Sequence, residues 1–229
     1  MGNLEKDTCK NCNEICDLVR NIDDDASGIF LKNVSRVQYK RKETIVKQSS
    51  LSSHLIYLKS GLVKIFTERK NDKNIILKLV TPKSFLDLSQ LSSDNYSFSA
   101  IALKDSELCL IPKDTLYKLF SQNNNFAKVV LDDHAKLLSF LIDKISSLGT
   151  KQMHGRLADV IIYLCGMEFN GIEVFNSITR KDIAEMSGMS SESAIRLLTE
   201  FKNDGLIKVE GKKIEINNFE LMNRLSDIG

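Results

Sequence analysis

Residues 179–204, TRKDIAEMSGMSSESAIRLLTEFKND, allow few folds, because two short helical patterns meet there at a glycine. Thr179 is followed three residues later by Asp182. That is the spacing of a capping box, in which one side chain accepts an amide at a helix start and the other returns the bond. Ile183, Ala184 and Met186 then give one short apolar face. Gly188 stands where a tight turn needs positive φ. Ser190 restarts the chain as an N-cap, and Ala194, Ile195, Leu197, Leu198 and Phe201 carry the apolar stripe of a second helix. Two helices crossing at a short glycine-bearing turn form a helix-turn-helix.

The residues around the motif separate it from an ordinary helical hairpin with a solvated face. Leu206–Val209 and Lys213–Ile216 read as two short strands around Glu210-Gly211, a β-hairpin wing. Ser191, Glu192, Ser193 and Arg196 leave the first turns of the second helix on its non-core side. Arg pairs bidentately with guanine, Glu accepts from cytosine N4 and Ser serves either role, so these types suit base reading in a major groove. Arg180 and Lys181 at a helix start, with Lys212 and Lys213 at the wing tip, are candidates for phosphates. Thr179 and Ser190 at the two helix starts join them.

Net charge gives little support by itself. The 229 residues carry a formal charge of only +2. Residues 176–229 hold eight Lys or Arg against nine Asp or Glu, so cations there must be placed rather than abundant. No stretch approaches the roughly 20 apolar residues of a membrane span, and no basic N-terminus precedes an apolar run as in a signal peptide. The expectation is a cytoplasmic protein without a membrane partner. The chain is long enough for one large domain or two small ones.

Cys9, Cys12 and Cys16 lie within eight residues among polar neighbours, Lys10, Asn11, Asn13 and Glu14. Packing does not explain such a cluster, whereas C-x2-C spacing places two thiolates on one metal or cluster. Three ligands need a fourth from elsewhere. Cys165, in VIIYLCGM, reads as core. His54, His134 and His154 are scattered, with no Ser-His-acid or paired-carboxylate motif around them, so an enzyme is not expected.

From about Ile29 to Pro112 the pattern is one of short strands: Val34–Tyr39, Thr44–Lys47, His54–Leu58, Leu62–Thr67, Ile75–Val80, Ser97–Leu103 and Glu107–Ile111. Gly61 and the cluster at 71–74 supply turns. Strands at this spacing suggest a compact antiparallel barrel or roll. A short helix over 114–121, the asparagines at 123–125 and a long helix over 126–148 follow. In the long helix Leu131, His134, Leu138, Leu141, Ile145 and Leu148 recur at alternating three- and four-residue steps, a heptad seam. Leu137 and Ile142 widen the stripe so that the helix also lies on its own barrel. One helix with two faces to bury predicts a homodimer. Gly149-Thr150 ends or hinges this helix, and Arg156–Met167 begins the next.

A β-roll, a long dimerisation helix and a winged helix-turn-helix, in that order, resemble the CRP/FNR family of bacterial transcription regulators over about the whole chain. The strongest likeness lies in ITRKDIAEMSGMSSESAIRLLTEFKNDGLIKVEGKKIEI. The resemblance implies an α+β protein: an N-terminal double-stranded β-helix (a cyclic-nucleotide-binding-like jelly roll), a dimerisation helix and a C-terminal DNA-binding domain. Its parts would be a cysteine-bearing segment over 1–27, a sensor roll over 28–121, the helix over 122–149 and the winged domain over 150–229. It implies that Glu192 and Arg196 read a G·C step, that Ser191 and Ile195 tune half-site choice, and that a symmetric dimer binds an inverted repeat in double-stranded DNA. It also implies contact between the roll and RNA polymerase.

The resemblance also bears on the effector. Cyclic-nucleotide-binding members hold ribose and phosphate with Gly-Glu and Arg-Ser pairs. Here Asp87-Leu88 and Tyr96-Ser97 stand near those positions. A buried phosphate would lack its main counter-charge, so cyclic nucleotide is disfavoured. YSFSAIALKDSELCLIPKDTL resembles the segment in which the oxygen-sensing branch places its fourth cluster cysteine, and Cys109 stands at that position. With Cys9, Cys12 and Cys16 it would hold a [4Fe–4S] cluster. The third N-terminal cysteine departs from the branch's usual wider spacing. Structural zinc, a dithiol switch, a different small ligand and thiols without metal stay open beside the cluster.

Overall fold

The structure is a computed structural model, and it describes residues 30, 32–69 and 74–228. Cys9, Cys12, Cys16 and most of the expected turn at 71–74 lie outside them. The chain divides into two compact units. One comprises the described residues up to Thr67 together with Leu79–Ser139, the other Glu68–Lys78 with the chain from Phe140 onward.

The first unit is built on two four-stranded sheets; the edge strand Ile75–Val80 belongs to it only from Leu79 onward. Strands β1 (Ser35–Tyr39), β8 (Ser106–Pro112), β3 (His54–Ser60) and β6 (Ser84–Phe85) form one sheet, in the order β1-β8-β3-β6. Strands β2 (Thr44–Val46), β7 (Ser99–Ala102), β4 (Val63–Thr67) and β5 (Ile75–Val80) form the other, in the order β2-β7-β4-β5. This is the expected roll. Strand β6 was not legible in the sequence: two residues carry no alternation, and pairing of Tyr57 with Phe85 and of Leu58 with Ser84 defines it. The rings of Tyr57 and Phe85 meet edge-on at 5.2 Å between centroids, a favoured aromatic geometry. Gly61 turns β3 into β4 at φ +104°, where a Cβ would collide with the Asp105 carbonyl at 2.7 Å.

Helix α1 (Lys113–Gln122) follows β8 directly, and α2 (Asn124–Thr150) follows α1 after a single residue. That residue, Asn123, is buried, and its side-chain oxygen accepts the Phe126 amide at 2.8 Å. The asparagine run is therefore a helix cap rather than a spacer. Phe126 and Val130 from α2 join Leu55, Tyr57, Cys109 and Ile111 in one apolar core cluster. This cluster positions Cys109, only 3% exposed, in the interior of the roll.

The expected seam residues fall into two groups. Leu131, Leu138 and Ile145 are 62%, 53% and 69% exposed. His134, Leu141 and Leu148 are half-buried, and the Nδ1 of His134 is buried without a hydrogen-bond partner. Leu137 is buried as expected. Ile142 is not: it is exposed and extends the uncovered apolar stripe instead of laying the helix on the roll.

In the second unit α3 (Met153–Leu164) begins and ends three residues earlier than the sequence pattern suggested. Gln152 supplies an extended N-cap, and Cys165 and Gly166 close the helix. Cys165 is accordingly half-buried rather than core, with its thiol 3.6 Å from the Ile214 carbonyl and pushed up in pKa by burial. A short turn of helix, α4 (Val174–Ser177), leads to α5 (Arg180–Met186) and α6 (Ser191–Asn203). The wing is β9 (Ile207–Glu210) and β10 (Lys213–Ile216), with Val209 opposite Ile214. A final helix, α7 (Phe219–Ile228), buries Met222 and packs on α3. Among the described residues no helix is long and apolar enough to cross a membrane.

Candidate nucleic-acid interface

Both expected caps are present. The Thr179 amide donates to the Asp182 carboxylate at 2.7 Å, and the Asp182 amide donates to Thr179 Oγ1 at 3.1 Å. Each bond satisfies a donor that a helix start would otherwise leave open. The Thr179 hydroxyl also donates to Asp182, at 2.7 Å, so its side chain is engaged inside the box. Ser190 Oγ accepts the Ser193 amide at 3.1 Å and donates to Ser193 Oγ at 3.0 Å. Ser190 and Ser193 thus share one capping arrangement at the leading end of α6.

Gly188 takes φ +62° between the helices, and the Met189 amide donates to the Ala184 carbonyl at 3.1 Å to close the turn. A Cβ at Gly188 would lie 2.6 Å from Leu148 Cδ2. Gly188→Ala should lose about 1–2 kcal/mol from the left-handed backbone alone, and more if Leu148 does not move aside. Chemical denaturation of the variant reads this directly, and unchanged stability would mean that the turn relaxes to another conformation.

Ala194, Leu197, Leu198 and Phe201 bury one side of α6. Ile195, expected in that stripe as well as on the reading face, is 51% exposed and belongs to the outer face alone. Glu192 and Arg196 are exposed beside it, while Ser191 and Ser193 are half-buried. No hydrogen bond or ion pair engages Glu192 or Arg196 among the described residues. The outer face therefore holds a carboxylate, a guanidinium and a β-branched apolar side chain, all available to a partner.

The candidate phosphate cations divide into two kinds. Thr179, Arg180 and Lys212 line one small pocket with Phe175, Ile178 and Ile183, so the helix start and the wing turn come together. Burial pulls the Arg180 pKa below the usual guanidinium value. Lys181 and Lys213 are paired within the protein, Lys181 with Glu185 at 3.6 Å and Lys213 with Glu215 at 2.5 Å. The Glu215 hydrogen bond raises the Lys213 pKa. Of the four cations named from the sequence, Arg180 and Lys212 are the ones not committed to a carboxylate. Local spacing carries both pairings, i,i+4 on α5 for Lys181 and Glu185 and i,i+2 on β10 for Lys213 and Glu215.

In the first unit, Cys109 on β8 stands opposite Tyr57 and Arg36 in register. Phe30 and Val34, where the described chain begins, pack in the same core cluster. Around the expected nucleotide position, Asp87 accepts from the Leu88 amide at 2.8 Å and from Gln90 at 3.3 Å, and also from the Ser89 hydroxyl. Its carboxylate is thus held by the residues that lead into the short 3-10 turn Ser89–Ser92. Tyr96 donates its hydroxyl to the His54 carbonyl at 3.1 Å.

Two family models match the chain. Residues 36–123 match the cyclic nucleotide-binding domain, and residues 155–225 match the Crp-like helix-turn-helix domain. A CRP-like cAMP-activated global transcriptional regulator of Mycobacterium tuberculosis is 22% identical over 212 residues, covering 90% of this chain and 95% of the relative. The fumarate and nitrate reduction regulatory protein of Escherichia coli K12 is 27% identical over 192 residues, covering 80% and 75%. Among solved structures, FixK2 from Bradyrhizobium japonicum superposes with a TM-score of 0.73 at 19% identity, covering 84% of this chain and 96% of that one. A transcriptional regulator of the crp/fnr family from Eubacterium rectale gives 0.72 at 21% identity, covering 92% and 97%. At these identities the structural likeness establishes the fold.

Proposed function

The chain belongs to the CRP/FNR family of transcription regulators, and from that premise we propose that it acts as a symmetric dimer on an inverted-repeat operator. The observation that carries this reading is the leading end of α6, where Glu192, Ile195 and Arg196 stand exposed on a capped helix. In the proposed complex α6 enters the major groove, Arg196 reads guanine and Glu192 its paired cytosine. Ile195 touches a thymine methyl, and Ser191 and Ser193 lie at the groove edge. Arg180 and Lys212 meet phosphates, with the helix starts at Thr179 and Ser190 near the same backbone. Lys181 and Lys213 contribute only by exchanging a carboxylate partner for a phosphate. The uncovered stripe of Leu131, Leu138 and Ile145 is the surface that the second protomer covers, and His134, Leu141 and Leu148 flank it. Mobility shift over a salt series tests the DNA step, since phosphate neutralisation gives a linear fall of log affinity with log salt. A salt-independent affinity would overturn it.

In the same reading the roll senses an effector and passes its state to α2. Four thiolates are the donor set of both zinc and [4Fe–4S] sites. Cys109 fits the fourth place because it lies in a water-poor core, in one cluster with Phe30 and Val34. Cys9, Cys12, Cys16 and Cys109 would hold the group, which as a [4Fe–4S] cluster would supply sensitivity to oxygen. A cyclic nucleotide fits less well: the Asp87 carboxylate is held by the Leu88 amide and the Gln90 side chain, where a phosphate would find a second anion. Anaerobic preparation should give a coloured protein containing iron and acid-labile sulfide. Cys109→Ser should abolish the colour, and Cys165→Ser should keep it. Colourless protein after anaerobic reconstitution would remove the cluster, and stoichiometric zinc would replace it. RNA polymerase is the further partner that the family premise implies, contacting the roll.

A further inference from the structure

The second unit contains a cavity of about 510 Å³ that the DNA-binding reading leaves unused. Its walls come from the end of α2, from α3, from the last turn of α5 and from α7. Phe140, Leu148, Val160, Ile162 and Met186 make much of the lining apolar. The polar groups facing it are unevenly matched. Asp159 is fully engaged: it accepts from Lys151 at 2.9 Å and from the hydroxyls of Ser147 and Ser226. Asp143 lies exposed at the margin.

Two cations lack such a match. Lys144 donates to the Met186 carbonyl at 2.8 Å, at the C-terminal end of α5, and has two further N–H donors. Burial pulls its pKa down to about 8, with Asp159 acting in the opposite sense. The Nε of Arg156 is buried without a hydrogen-bond partner, and no ion pair among the described residues engages Arg156. A buried guanidinium donor left unmet is costly.

We propose that this cavity binds a small organic anion, a carboxylate or phosphate group carried on an apolar body, with Arg156 and Lys144 as its charge partners. The cavity falls within the range of roughly 300–1,000 Å³ in which small-molecule sites lie. A neutral apolar occupant would leave the Arg156 donor unmet. A cation would face Lys144, Lys151 and Arg156 together, with Asp159 already spent. An anion satisfies Arg156 and the spare donors of Lys144 while its body covers the apolar lining. Bound there, it ties α2 to α3 against the end of the first helix of the helix-turn-helix, and so sets how that helix seats on α2. The binding step stands on the cavity alone; its effect on DNA rests on the function proposed above.

Calorimetric titration of the full chain with octanoate, phenyl phosphate, octanamide and octylamine tests the site. At least one of the two anions should bind saturably, one per protomer, while octanamide and octylamine do not. Arg156→Gln and Lys144→Gln should each weaken the anion about tenfold or more. Near pH 8.5 binding should take up protons, because an anion stabilises the protonated Lys144 that burial disfavours. Octanamide binding as tightly as octanoate, neither anion binding, or both variants keeping full affinity would overturn the proposal. Mobility shift on the same samples separates the two readings. DNA binding without anion binding removes only the site, anion binding with no change in DNA affinity removes only the coupling, and loss of DNA binding by the untreated protein removes the regulator reading.

Discussion

Arg196→Ala is expected to cost about 1–3 kcal/mol per half-site on the cognate operator, roughly a 5- to 150-fold rise in Kd for each half-site contacted. The loss should be specific. Arg196 is exposed and engages no partner within the protein, so removing it leaves the stability of α6 unchanged within about 0.5 kcal/mol. Binding to random duplex should hardly change, and discrimination at the contacted base pair should relax. Lys212→Ala should behave in the opposite way, weakening all duplexes alike and lowering the salt slope by about one. Competition binding against cognate and scrambled duplexes separates these patterns. Equal loss on both by Arg196→Ala would assign it to phosphate rather than base.

The double substitution Leu138→Asp with Ile145→Asp should turn a dimer into a monomer. Both side chains are more than half exposed in the protomer, so the charges meet water there and the fold should survive. In a dimer the same carboxylates would face their own copies across an apolar seam, where like charges and lost burial act together. Without the second recognition helix, affinity for an inverted repeat should fall about 10²–10⁴-fold through loss of effective concentration alone. Sedimentation at micromolar protein reads the first effect and mobility shift the second. A variant that stays dimeric would place the two-fold contact elsewhere, and full DNA affinity in a monomer would mean that one helix suffices.

The winged domain was the most legible part of the chain because its signals are local. The capping box of Thr179 and Asp182, the turn at Gly188 and the cap at Ser190 depend on residues no more than four apart, and each appears with the expected bonds. The strands of the roll were legible by alternation, but the two residues of β6 were not, since only pairing across the sheet defines them. Helix α7 lies beyond the elements expected from the sequence, although Phe219, Met222 and Leu225 fall at helical spacing and Asn218 accepts the Leu221 amide at 3.0 Å. Ile195 carries two expectations, a place in the apolar stripe and one on the outer face, and the orientation of α6 leaves it exposed on the second. The charges were the least legible. Glu185 and Glu215 neutralise Lys181 and Lys213, and Lys144 is buried among groups from other helices. The two pairs have a signature in their spacing, four along a helix and two along a strand, whereas the setting of Lys144 has none, because it depends on where the helices finally pack.

The most direct measurement is selection from a pool of random duplexes by the full-length protein, followed by sequencing. The account predicts a motif with two-fold symmetry, its half-sites about one helical turn or roughly 34 Å apart. A G·C pair in each half-site should lose its enrichment when Arg196→Ala is used for the selection. No enriched motif, or a single asymmetric one indifferent to Arg196, would contradict it.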